Sequence, residues 1–122
     1  DSPCSATGTI RRHPDILHSK TTNDLAKLLK LQWKLLLAGA QLLKPGGKLI
    51  FCTCSIQTEE GEQQIEKFSK LNRSFERQSI SKEEVGGYSC FINEKGDLSI
   101  LPSFLKELGG IDGFFASRLI CK

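Results

Sequence analysis

Two cysteines hold the reactive chemistry of this chain. Cys54 closes the apolar run Lys48-Leu49-Ile50-Phe51-Cys52-Thr53, and Cys4 lies in the turn-like opening Asp1-Ser2-Pro3-Cys4-Ser5. A cysteine works as a nucleophile when it is accessible and rich in thiolate. In open α/β sheets, chemistry collects at the carboxyl ends of strands, and Cys54 stands where such an end is expected. A helix starting just after it would bring a positive helix end near the sulfur and lower its pKa. From the residues alone, Cys54 is either a nucleophile or a buried structural thiol. Cys52 reads as packing, as do Cys90 and Cys121, which fall in strand patterns. The Cys52-x-Cys54 spacing would suit a soft metal, but the sequence has no second Cys/His pair at ligand spacing. His13 and His18 are the only imidazoles, and nothing in the pattern fixes either of them opposite Cys54.

The elements that must hold these thiols read in order. Residues 1–23 lack periodicity and are rich in Ser, Thr, Gly, Pro and Asn, which predicts a long loop with one short helical turn. That loop carries Arg11, Arg12, His13 and Lys20, a set that is either solvated or in contact with phosphate. Leu25, Leu28, Leu29, Leu35, Leu36, Leu42 and Leu43 recur at spacings of three, four and seven, which predicts a helix over 24–44. Thr22, Asn23 or Asp24 is expected to cap it, and Pro45-Gly46-Gly47 to end it. Trp33 reads as packing.

Residues 48–54 read as a strand covered on both faces, because the pattern does not alternate cleanly. A second helix is expected over 58–71, capped by Thr58, with Glu59, Glu60 and Glu62 as solvated acids at its start. A strand at 75–80, a hairpin from Tyr88 to Leu101 turning at Gly96, and a last strand from Phe114 to Cys121 complete the reading. Gly109-Gly110-Ile111-Asp112-Gly113 lacks the Lys-Ser/Thr ending of a phosphate-binding loop.

The totals bound the class. The chain has 122 residues, 39% hydrophobic and 25% charged, which suits one ordinary globular domain. No apolar run is long enough for a membrane span, so no membrane partner is expected. Lys and Arg number 17 against 14 acids, a net charge of +3, compatible with a polyanionic partner. Five cysteines without a visible secretory leader read as reduced thiols, which predicts a cytoplasmic location. The opening inside a site-like loop predicts that the chain is the C-terminal part of a longer protein.

Four segments make the pattern specific. Asp1-Ser2-Pro3-Cys4-Ser5-Ala6-Thr7-Gly8, followed by Arg11-Arg12-His13-Pro14-Asp15, resembles the Asp-Ala-Pro-Cys-Ser-x-x-Gly motif of the RNA 5-methylcytosine methyltransferases. Within that family it is most similar to the bacterial Sun (Fmu, RsmB) branch. The run from Leu43 to Ser55 resembles the family's second signature, a strand ending in Thr-Cys-Ser. Glu59-Glu60 and Asp112-Gly113-Phe114-Phe115-Ala116 match as well, in the same order. Ser2 stands where the family usually has alanine.

The resemblance implies an α/β fold. It would be the C-terminal half of a Rossmann-like S-adenosylmethionine-dependent methyltransferase domain, a mixed sheet of parallel strands with an antiparallel final strand and flanking helices. Residues 1–122 would form one partial domain, with 1–23 as the active-site loop and 24–122 as the α/β core. It implies Cys54 as the nucleophile that attacks carbon 6 of a cytosine. Cys4 would be the second cysteine, tied to product release and to general-base work. Asp1 would lie near S-adenosylmethionine and the target base, and Arg11, Arg12 and His13 would contact RNA.

The implied partner is ribosomal RNA, of the small (16S) subunit. The glycine-rich loop, ribose-binding acid and catalytic lysine of the family would all lie upstream of Asp1, and no metal is implied. Two other readings stay open: a catalytically incomplete module that only folds or touches RNA, and a non-catalytic thiol or metal module. Without a strand on its outer side, 48–54 is expected to present a sheet edge prone to self-association.

Overall fold

The computed structural model describes residues 1–19 and 21–122. A short helix α1 (Ile16–Ser19) leads to the long helix α2 (Thr22–Gln41), and then to strand β1 (Lys48–Thr53), helix α3 (Glu62–Leu71), strands β2 (Phe75–Arg77) and β3 (Leu98–Ile100), and the final strand β4 (Phe114–Cys121). Single 3-10 turns at Thr7–Thr9, Thr58–Glu60, Lys82–Val85, Ser89–Phe91 and Lys106–Leu108 punctuate the loops.

The last strand in sequence is the centre of the sheet. β4 pairs with β1 along one edge, from Lys48↔Ile120 to Thr53↔Phe115, and with β2 and β3 end to end along the other. All three ladders are antiparallel, so β1, β2 and β3 share one direction without touching one another as neighbours. The antiparallel final strand and the flanking helices agree with the sequence reading. Among the described residues, however, β4 lies between the co-directional strands, and no parallel pair forms.

Leu49, Phe51, Phe115 and Leu119 lie on one sheet face and meet Trp33, Leu36, Leu37 and Ala40 from α2 and Ile65 and Phe68 from α3. Burying each of the large side chains contributes roughly 2 kcal/mol. Phe68 packs edge-on against Trp33 at 6.3 Å and Phe75 at 5.3 Å, so a single ring joins both helices to β2. Trp33 is a packing residue, as its place on the helix predicts.

Several local expectations are corrected. Thr21 caps α2, through a reciprocal pair with Asp24, because only a residue before the first turn can accept from the third helical N–H. α2 ends at Gln41, before Pro45. Thr58 opens a 3-10 turn and not a helix, and α3 begins at Glu62. β1 is not covered on both faces, since Ile50 remains 60% exposed. Its outer edge meets the chain start at one point, where the Ser2 N–H donates to the Cys52 carbonyl (2.9 Å). The first arm of the expected hairpin is a 3-10 turn that makes a single bridge, Ile92↔Leu98, and Cys90 on that turn is exposed and not packed. The strand at 75–80 stops at Arg77, though Gln78 still donates to the Arg118 carbonyl (2.8 Å).

The 79–85 loop is clasped to β4. Arg118 donates through Nη1 to Glu84 (2.6 Å), and through Nη2 to Glu84 (3.2 Å) and the Ser79 carbonyl (2.6 Å). The Arg118 guanidinium, aided by the Ser81 backbone N–H, holds the Glu84 carboxyl at about 2. A folded value below the unfolded one stabilises above the unfolded pKa and loses that contribution as pH falls through the folded one. Acid titration of the thermal midpoint is expected to show the loss between about 4.5 and about 2. Glu84→Gln should flatten this part of the curve, and superimposable acid profiles for variant and parent would exclude the clasp.

Candidate active site

The loop that carries Cys4 begins at Ser2, whose backbone is tied to β1, and reverses at Ala6, a non-glycine residue in left-handed conformation (φ 58°). Such backbone is sparsely populated and persists where surrounding contacts over-determine it. The Ala6 carbonyl accepts from both the N–H and the hydroxyl of Thr9 (2.9 Å each), which closes the turn. Gly8 then bridges two segments: its N–H donates to the Cys54 carbonyl (2.9 Å), and its carbonyl accepts from the Gly113 N–H (2.8 Å). Three stretches far apart in sequence are thereby fixed on one glycine.

This geometry brings Cys4 Sγ to 3.4 Å from Cys54 Sγ. The residue after each cysteine repeats the pairing, with Ser5 Oγ 3.3 Å from Ser55 Oγ. Thr7 Oγ1 lies 3.0 Å from Ser55 Oγ and accepts from the Ile56 N–H (3.2 Å), while Ser55 Oγ accepts from the Gln57 N–H (3.0 Å). Burial pushes the Cys4 thiol up to about 11, with the Ala6 backbone opposing the rise and the Cys54 sulfur adding to it. At neutral pH Cys4 therefore keeps its proton, and either sulfur can be the donor in the 3.4 Å contact. The expected helix start beside Cys54 is absent, because α3 opens only at Glu62, after a loop and a 3-10 turn.

Glu60 corrects the reading of a solvated acid. It is 0% exposed. Its Oε1 accepts from the Ser5 N–H (2.9 Å) and Gln32 Nε2 (2.9 Å), and its Oε2 accepts from the Ser5 hydroxyl (2.5 Å). Gln32 Nε2 also reaches the Pro3 carbonyl (2.9 Å), and Gln64 links to Gln32 (3.3 Å) and to the Leu29 carbonyl (2.9 Å). The sequence held a signal for this. Gln32 stands four residues after Leu28 and four before Leu36, so it occupies a core-facing register of α2.

The remaining predicted residues are placed as follows. The Asp1 carboxylate is exposed, with Oδ1 4.0 Å from Cys52 Sγ. It borders a cleft of about 220 Å³ shared with Leu36, Leu49 and Phe51. Arg12 pairs with Asp112, Arg11 Nε stands 3.7 Å from the same carboxylate, and Arg11 Nη1 donates to the Gly109 carbonyl (3.1 Å). Arg12 foremost holds the Asp112 carboxyl below the usual range. A phosphate arriving here would have to share these guanidiniums with Asp112. His13 is exposed, and Lys20 lies outside the described residues. Ser2 is buried, and its hydroxyl finds no hydrogen-bond partner, so an alanine there would give up nothing. Among the described residues, no three of His, Cys, Asp and Glu converge as a metal set, and no helix is long and apolar enough to cross a membrane.

A family model described as 16S rRNA methyltransferase RsmB/F matches residues 1–120. The chain belongs to the RsmB/F family. Ribosomal RNA small subunit methyltransferase B of Photorhabdus laumondii is 41% identical over 119 residues, which cover 98% of this chain and 24% of that protein. The protein of the same name from Xylella fastidiosa (strain 9a5c) is 39% identical over 120 residues, 98% of this chain and 26% of that protein. This RsmB/F chain thus spans about a quarter of the length of the curated relatives it matches.

Among solved structures, the crystal structure of PH0851 superposes with a TM-score of 0.82 at 29% identity, over 98% of this chain and 25% of that one. NSun6 from Pyrococcus horikoshii, solved with SFG, gives 0.73 at 21% identity, over 99% and 28%, a likeness of fold alone.

Proposed function

We propose that this RsmB/F chain contributes the nucleophile and its partner thiol to a methyltransferase acting on carbon 5 of a cytosine in small-subunit ribosomal RNA. The observation that carries the reading is the 3.4 Å contact between Cys4 and Cys54, two thiols 50 residues apart in sequence. Family membership and the names of the relatives support the substrate class.

The chemistry follows from the two sulfurs. The Cys54 thiolate adds to carbon 6 of an unstacked cytosine, forming an S–C6 bond, and the displaced π electrons make carbon 5 nucleophilic. S-adenosylmethionine, when bound, supplies an electrophilic methyl group for that carbon. Departure then requires loss of the C5 proton to water. The C–H electron pair rebuilds the C5=C6 bond, and the S–C6 pair leaves on Cys54. A Cys4 held protonated is poorly suited to take the C5 proton. It is well suited to donate a hydrogen bond to the departing Cys54 thiolate, since bonds to charged acceptors are the strong ones. The two cysteines thus divide attack and release between them.

Asp1 would hold a polar edge of the methyl donor or the amino edge of the base. A single exposed carboxylate beside a mostly apolar cleft fits part of the donor and not the whole of it. Arg11, Arg12 and His13 form the RNA-facing cluster of the proposal, with Asp112 as the counter-charge that RNA phosphate would compete against.

The test uses a full-length protein carrying this chain. Cys4→Ala is expected to accumulate a covalent protein–RNA species that survives a denaturing gel, because attack proceeds and release stalls. A Cys4→Ala protein that turns over like the parent, with no trapped RNA, would sink the division of roles.

A further inference from the structure

We propose that Glu60 is a positioning residue for release: its carboxylate holds the Cys4 loop so that the Cys4 thiol faces Cys54. The inference rests on the reading just given for the two thiols.

The residues on either side of Cys4 are both tethered, and the tethers meet at Glu60. Pro3 is held through its carbonyl by Gln32, and Ser5 is held through both its N–H and its hydroxyl by Glu60. Gln32 donates to Glu60 and Pro3 from one amide nitrogen and is itself oriented by Gln64. The side chain left unclaimed in this stretch is that of Cys4, which the two anchors turn toward Cys54.

A buried carboxylate is an expensive way to fill space. Glu60 is fully buried, and among the described residues no salt bridge reaches it. Isolated buried charges are strongly disfavoured, and well-packed apolar groups stabilise as well or better. What an apolar group could not do is accept three hydrogen bonds while pinning Ser5 at two atoms. Catalysis is sensitive to such placement, with a displacement of about 1 Å able to lower a rate about 100-fold.

The prediction is specific, because Glu60 touches the loop of Cys4 and not Cys54 itself. Glu60→Ala should therefore resemble Cys4→Ala. Covalent RNA adduct accumulates, release slows about 100-fold, and the rate of adduct formation stays within a few-fold of the parent's. In a Cys4→Ala background, Glu60→Ala should add no further slowing of release. Glu60→Gln should restore most turnover. Its amide oxygen can accept from the Ser5 N–H and Gln32, and its amide nitrogen can donate to the Ser5 hydroxyl.

Single-turnover assays with cytosine-containing small-subunit RNA, resolved on denaturing gels, read all three variants. A folded Glu60→Ala protein that lowers formation and release alike, or traps nothing, overturns the inference. If Glu60→Ala does not fold, Ser5→Ala, which removes only the hydroxyl, should trap RNA partially, and its failure to do so overturns the inference equally. Absence of trapping in Cys4→Ala itself would fail the underlying reading, whatever Glu60 does.

Discussion

Replacing Cys54 by alanine in a full-length protein carrying this chain is expected to abolish methylation, with a loss on the order of 10⁴-fold or more, the scale on which covalent nucleophiles matter. The structure shows why a neighbour could not step in. Cys4 lies 3.4 Å away, but burial raises its pKa to about 11, so at neutral pH it is a thiol and a poor nucleophile. Cys52 sits within β1, with its sulfur beside the Asp1 carboxylate (4.0 Å) and apart from the contact between Cys4 and Cys54. Methyl transfer from labelled S-adenosylmethionine to small-subunit RNA gives the readout. Turnover at the parent rate by Cys54→Ala would overturn the assignment outright. Loss of both turnover and adduct in Cys54→Ala, set beside trapping in Cys4→Ala, would separate attack from release.

Gly8→Ala is expected to cost about 3 kcal/mol or more of stability, at the upper end of what overpacking does, and to carry activity down with it. A Cβ at this position would stand 2.2 Å from the Gly113 carbonyl oxygen and 2.7 Å from that of Cys54. Both are backbone atoms, so no side-chain rotation can relieve the clash. The same glycine makes one hydrogen bond to each of those segments, and opening the junction would lose both bonds. Because the Cys54 carbonyl is one of the clashing groups, the nucleophile moves with the backbone. Urea unfolding together with the methylation assay checks this, and a variant with the parent's midpoint would contradict the crowding.

What could be read from the residues was whatever periodicity and punctuation encode. α2 announced itself through its leucines, and β4 through an apolar run after a glycine-rich loop. Cys54 was visible because a thiol closed a strand. The contacts that give the site its shape were hidden for a physical reason: they join residues far apart in sequence through one or two hydrogen bonds each, which leave no local pattern. Glu60 illustrates this. Beside Glu59 and Glu62 it reads as one more acid at a helix start. Only the approach of Ser5 and Gln32 reveals that it is buried and three times hydrogen-bonded. Gln32 and Gln64 were the legible trace, polar residues standing in apolar registers of their helices. Arg11 and Arg12 carry a second contact of this hidden kind, since cations in a polar loop suggest an external anion and only the fold shows that Asp112 also stands beside them.

The central position of β4 has a consequence for how the molecule is made. Every ladder in the sheet includes β4, so no two earlier strands can pair before the chain has been extended through Phe114–Cys121. During synthesis α2 can form early from local contacts, while β1, β2 and β3 find no partner in one another. Closure of β1 onto β4 then spans more than 60 residues, and such long-range pairing is slow. Folding of this segment is therefore a late, concerted event in the life of the nascent chain. Until it happens, the edges that β4 will occupy stay open, and open edges invite aggregation.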